Sequence, residues 1–174
     1  MLRANFNVKR LFAILLALLT FMPISAFSTE PSVYPEHTET LTTLNIKRDN
    51  QLVSSLAIEI ASTLDEKIKG LMHRKTMPLN HGMLFDYSPP QEIHMWMKNT
   101  YIPLDMLFLD ENYYITHIHH NAKPHDLTII PSPGIVSGVI EINAGQAKAQ
   151  DIQVGDRIVI DKTPALSIEE GNQQ

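Results

Sequence analysis

The chain contains no cysteine among its 174 residues. That absence excludes disulfides, thiolate metal sites, a cysteine nucleophile and the lipid-attached kind of export signal. Any exported form must therefore be held together by its hydrophobic core alone. Aromatic residues are few, at 7%, and there is a single tryptophan, Trp96, so any stacking role for an indole falls on one position. No Ser/His/Asp elbow, phosphate loop or dinucleotide fingerprint occurs, and no cofactor is implied. Positive charge is in deficit as well: 14 Lys and Arg stand against 19 Asp and Glu, a formal charge of −5. That balance argues against nucleic acid and anionic lipid as partners.

The long apolar run is confined to the N-terminus. Arg3, Lys9 and Arg10 precede residues 11–24 (LFAILLALLTFMPI), and small residues follow at Ser25, Ala26 and Ser28. A basic start, an apolar middle and a small-x-small site are the parts of a cleavable export signal. The run of about 14 residues falls short of the ~20 that a spanning helix needs. Residues 1–28 are therefore expected to be a signal peptide. The mature protein is expected to be periplasmic or secreted, with no stable membrane insertion after cleavage. Cleavage leaves 11 basic against 19 acidic residues, a formal charge of −8. Residues 29–43 are rich in Pro, Ser, Thr and Glu and read as a flexible linker, and residues 162–174 read as a polar tail. One folded unit, 44–161, remains. It is long enough for a single domain burying about two-thirds of its unfolded surface.

Short strands dominate that unit. Residues 44–47 and 52–60 flank the polar turn Arg48-Asp49-Asn50, a hairpin signal. Thr63-x-x-Glu66 is a capping box, Asp65 and Glu66 suit the positive end of the helix dipole, and Leu64, Ile68, Leu71 and Met72 form the apolar stripe. Further strands are predicted at 83–85, 93–97, 106–109, 113–119, 136–142 and 157–160. A short helix is predicted at 144–149, and Gly155-Asp156 reads as a turn. About eight strands and two short helices, without βαβ alternation, predict an α+β fold. It should be mainly antiparallel, a small barrel-like or folded-sheet domain.

Several segments carry a resemblance at the right order and spacing: Gly70-Leu71-Met72-x-Arg74, Gly82-Met83-Leu84-Phe85, Trp96-Met97-Lys98-Asn99-Thr100-x-Ile102-Pro103-Leu104-Asp105, Glu141-x-Asn143-Ala144-Gly145 and Gly155-Asp156. Over about residues 45–160 the chain resembles the bacterial and archaeal family called domain of unknown function one-nine-two. The resemblance implies a small β-rich domain, often exported behind a signal peptide, and no particular activity. Met95 stands where that family usually has an aromatic residue, which weakens the aromatic contact expected beside Trp96. Residues 117–133 match least.

The segment around Trp96 draws polar groups into an apolar setting, at a cost of roughly 1–3 kcal/mol each unless they find partners. Asp105 sits within an apolar run and needs Lys98, Arg74 or backbone N–H groups to stay ionised. On one reading Trp96 is a stacking platform and Lys98, Asn99, Thr100 and Asp105 orient a small polar ligand or an envelope partner, with Arg74 and Glu141 as outer members. On the other, Asp105 receives backbone amides in a loop clamp while Trp96 fills the core. The leading expectation is an accessory binding domain without catalysis. An enzyme reading would make Asp105 and Glu141 an acid–base pair, as in paired-carboxylate hydrolases of cell-envelope polymers. A metal reading would use His117 and His119, which share one face of a strand; a site needs three or four convergent ligands, so no metal is the first expectation.

Overall fold

The computed structural model describes residues 41–164. The expected signal peptide, most of the linker and the end of the polar tail lie outside them. Strand β1 (Thr42–Arg48) turns into β2 (Gln51–Ala61) through Asp49 and Asn50, whose φ angles are 50° and 65°. Positive φ at both central residues is what a two-residue type I′ hairpin requires. The capping box then starts α1 (Leu64–Lys69): the Glu66 N–H donates to the Thr63 hydroxyl, and the Glu66 carboxylate accepts from the Thr63 and Ser62 N–H groups. Those bonds hold the Glu66 carboxylate down to about 2.

Past α1 the chain enters β3 (His81–Gln91), which pairs in parallel with β2. This is a single local exception to the expected lack of βαβ crossovers, since parallel neighbours need a connection that returns the chain to the same end. Then follow β4 (His94–Met95), β5 (Leu104–Leu109), β6 (Ile115–Ala122), β7 (Ile130–Pro131), β8 (Val136–Asn143), α2 (Gln146–Ala149) and β9 (Arg157–Pro164). Seven strands form one sheet in the order β6-β5-β8-β3-β2-β1-β9, and β4 pairs with β7 separately. The sheet curls until its ends meet: Tyr114 bridges Arg157, the Ile158 N–H donates to the Tyr113 carbonyl (2.8 Å), and the Ile115 N–H to that of Asp156 (2.9 Å). The domain is a small, mainly antiparallel α+β barrel-like fold.

Curling gives the sheet two buried faces. Leu44, Ile58, Leu84, Leu107, Ile140 and Ile142 fill the inside. Met83, Phe85, Met106, Phe108 and Val139 face outward beneath Leu71, Ile93, Met95, Met97 and Ile102. Each fully buried side chain of this size contributes about 1.5–3 kcal/mol, which is how the fold holds without disulfides. The stripe predicted for α1 divides. Leu71 is buried beyond the helix end, but no residue within α1 is, and Leu64 and Ile68 are 72% and 54% exposed. The helix is too short to reach the sheet with both turns, and it overhangs a cavity instead.

Two buried aspartates lock the barrel. Asp156 lies under the Gly155 turn and accepts Arg48 Nε (2.7 Å), Arg48 Nη2 (3.0 Å) and the Gln153 N–H (2.8 Å). Asp105 is fully buried. The β5–β6 register slips around it: Leu104 faces Ala122 and Met106 faces His119, leaving two residues opposite one, which is a β-bulge. Asp105 Oδ1 accepts the Asn121 N–H of that bulge (2.9 Å), and Oδ2 accepts the Ala147 N–H in the first turn of α2 (3.1 Å). The N-cap of α2 is Gly145, which has no side chain to offer, so Asp105 supplies the cap from a distant strand.

Asp105→Ala strands both N–H donors, at about 1–3 kcal/mol each. The expected result is a urea midpoint lowered by a total of about 2–6 kcal/mol in stability, with Asp105→Asn losing less because it keeps one acceptor. An unchanged midpoint would deny the carboxylate any structural role.

Candidate functional site

Side-chain alternation puts Glu141 and Val139 of β8 on the outer face, opposite Ile140 and Ile142. Glu141 pairs with Met83 of β3 on one side and Met106 of β5 on the other. Directly paired residues share a face, so the carboxyl group stands in a cross-strand row between two thioethers. It is 4% exposed and makes no side-chain hydrogen bond or ion pair among the described residues. Burial without a partner pushes it up to about 8, so at neutral pH it is mostly an uncharged acid that can donate a hydrogen bond.

Above this carboxyl group lies a cavity of about 200 Å³. Leu64 and Ile68 of α1 form one wall, Phe85 and Tyr87 of β3 another, and Met95 and Trp96 a third. Trp96 is 48% exposed and does not fill the core; strand parity buries its neighbours Met95 and Met97 instead. Two cations stand over the aromatic faces. Lys98 Nζ is 5.7 Å from the Trp96 ring centre and Lys67 Nζ is 4.8 Å from that of Tyr87, both within cation–π range. The Tyr87 hydroxyl is raised above its usual value by burial and by Glu141.

The residues singled out from sequence divide between this cavity and the framework. Trp96, Lys98, Thr100 and Glu141 line the cavity. Asn99 shapes its loop: its φ is 54°, its carbonyl accepts the His73 N–H (2.9 Å), and its side-chain amide touches Met72 Sδ (3.9 Å). Thr100 also fixes that turn, donating through its hydroxyl to the Lys98 carbonyl (3.3 Å). Arg74 pairs with Glu59 and borders an adjoining groove, not the cavity.

Asp105 and the histidine strand each carry two readings from sequence, and for both the geometry favours the structural one. Asp105 turns to the opposite face from Glu141 and accepts main-chain N–H groups there, as in the clamp reading. The register makes this unavoidable: Asp105 pairs with Ile142 and Met106 with Glu141, one step out of phase. The acid–base pair therefore does not assemble. The histidine strand gathers no metal ligand set either. His117 packs its ring 5.7 Å from that of Phe108, His119 is depressed by burial and by its histidine neighbours, and His120 Nδ1 is 3.7 Å from Asp105. Among the described residues no three His, Asp or Glu side chains converge as a metal would require.

Sequence reading passed over Tyr87 and Lys67. Tyr87 continues the outward alternation of Met83 and Phe85, a signal that was present. Lys67 lies between Leu64 and Ile68, whose exposure no local pattern disclosed.

Residues 44–160 match the family described as Uncharacterized ACR, domain of unknown function 192. The chain belongs to this family. Among solved structures of family-level similarity, a candidate transcription regulator from Sinorhizobium meliloti is 39% identical. The match covers 69% of this chain and 93% of that one, with a TM-score of 0.66. A protein of unknown function from Novosphingobium aromaticivorans is 32% identical over 80% of this chain and 99% of its own, with a TM-score of 0.67. No curated protein matches the sequence.

The state of Glu141 has a consequence for stability. Between about pH 4.5 and 8 the folded protein keeps a proton that the unfolded chain has lost. The stabilisation is thus complete below about 4.5 and disappears as pH rises through about 8, at no more than about 1.4 kcal/mol per pH unit. Urea midpoints across that window should fall for the wild type and fall less for Glu141→Gln. Equal slopes would mean that the carboxyl group is ionised in the folded protein.

Proposed function

We propose that this family member is an exported accessory domain that binds a small polar ligand in the Glu141 cavity without catalysing a reaction. The observation that carries the reading is the lone carboxyl group at the cavity floor. A polar group removed from water without a partner is costly, and a fold that supplies main-chain partners to Asp105 leaves Glu141 with none. A bound molecule presenting an acceptor would complete it. Apolar walls with one or two convergent polar groups are the usual form of a small-molecule site. At about 200 Å³ the cavity lies below the ~300 Å³ lower end for drug-sized ligands, so the bound group is no larger than about one ring.

The absence of catalysis is inferred from the side chains present. The second carboxylate of the hydrolase scheme faces the barrel interior, and no other acid among the described residues lines the cavity. Export is supported by the basic-apolar-small order of residues 1–28; among the described residues no helix is long and apolar enough to cross a membrane. The regulator description of the S. meliloti relative is not carried over, since a formal charge of −5 suits no polyanion.

A small-molecule panel read by thermal shift and by tryptophan emission tests the proposal, because Trp96 is the only tryptophan and borders the site. Compounds that bind should stabilise the fold by about 2.7 kcal/mol at a hundredfold excess over Kd and shift the emission. Glu141→Leu should raise basal stability and cancel both responses. A wild type silent in both readouts, with Glu141→Leu gaining stability alone, would reduce Glu141 to a tolerated burial.

A further inference from the structure

The chemistry of the cavity changes with depth. At the floor is Glu141, which lines the cavity and is otherwise almost wholly buried. The walls are apolar or aromatic. At the rim stand Lys67 and Lys98, and neither pairs with a carboxylate among the described residues. Lys69 also borders the cavity but is shared with the adjoining groove, where Glu59 and Glu66 stand nearby. Among the described residues the only acid of the cavity is thus the buried one, while its mouth is cationic.

A cationic ligand would approach aromatic faces already occupied by two ammonium groups, and would meet like charge there. An anion meets the opposite, since both lysines hang over rings at the entrance and retain hydrogen-bond donors for it. The remaining contacts demand an apolar body of about one ring, by size, and a neutral acceptor to take the proton offered at the floor.

Building on the binding function proposed above, we infer that the cavity selects a small organic anion with a single-ring apolar body, its charged group held by Lys67 and Lys98 and a carbonyl oxygen reaching Glu141. The ring lies against Trp96, which makes the indole a direct reporter. Lys67 and Lys98 set the preference for charge, and Glu141 sets the depth at which the carbonyl sits.

Three matched probes separate these roles: N-benzoylglycine, its uncharged methyl ester, and the cationic N-(2-aminoethyl)benzamide. All three carry the same ring and amide carbonyl and differ in charge. Titrations against the full chain, followed by Trp96 emission at neutral pH, should rank the anion at least about tenfold tighter than the ester, with the cation weakest. Lys67→Met and Lys98→Met should each erode the anion's advantage over the ester. Each should change the folding equilibrium by no more than about fivefold, or about 1 kcal/mol, the worth of one cation–π contact at an exposed or half-buried position. Glu141→Gln should keep binding, since an amide also donates a hydrogen bond. Equal or tighter binding of the ester or the cation would overturn the anion selectivity and leave the binding function standing. If none of the three binds while the wider panel finds other cavity ligands, the inferred ligand class is wrong. Silence of every compound would remove the binding function itself.

Discussion

The structure depends on β5 and β8 being buried on both faces. In a sheet with water on one side, a polar residue of the wrong parity reaches solvent; here each alternate residue enters one of two apolar clusters. A carboxylate on either strand has to be resolved by whatever its face provides. Asp105 and Glu141 sit on neighbouring strands one residue out of phase and meet opposite outcomes. Asp105 enters the side where a bulge and a helix start present main-chain N–H groups. Glu141 enters the side where its flanking partners are methionines. The same residue class becomes a clamp in one place and an uncharged acid in the other, and register alone makes the difference.

Much of the fold was readable because its signals are local. The type I′ hairpin needs only Asp49 and Asn50, the capping box only Thr63 and Glu66, and the alternation of β2 and β8 only a few residues each. The parallel β2–β3 pair, the closure of β6 against β9 and the burial of Asp156 beneath Arg48 depend on pairings between distant parts of the chain. No local pattern encodes those. The site divided in the same way. The gathering of Trp96, Lys98 and Thr100 is local in sequence, while the placing of Asp105 relative to Glu141 depends on a register that periodicity does not supply. The exposure of Leu64 and Ile68 was hidden for a further reason: an amphipathic stripe reads alike whether it covers a core or a cavity.

Two glycines in the motifs that carry the family resemblance have steric explanations. A Cβ on Gly82 would come within 2.5 Å of the Glu141 carbonyl oxygen, so only glycine lets β3 lie this close to β8. Gly70 ends α1 at a φ of 43°, and a Cβ there would lie 3.0 Å from the Phe85 ring. The Gly70 constraint sets how closely the helix end approaches Phe85, a wall of the space over Glu141, while Gly82 acts from the inner face by setting the β3–β8 approach. The motifs that define the family are in this respect about spacing as much as chemistry.

The overhanging helix has one more implication. With no buried residue of its own, α1 is held by its capping box, by Gly70, by the anchor Leu71 and by Lys67 over the Tyr87 ring. A helix with so little buried area is expected to open at a lower free energy than the barrel melts. Amide protons along the helix would exchange with solvent long before those of β5 and β8. One side of the chamber is in this sense a swinging panel mounted on a rigid drum.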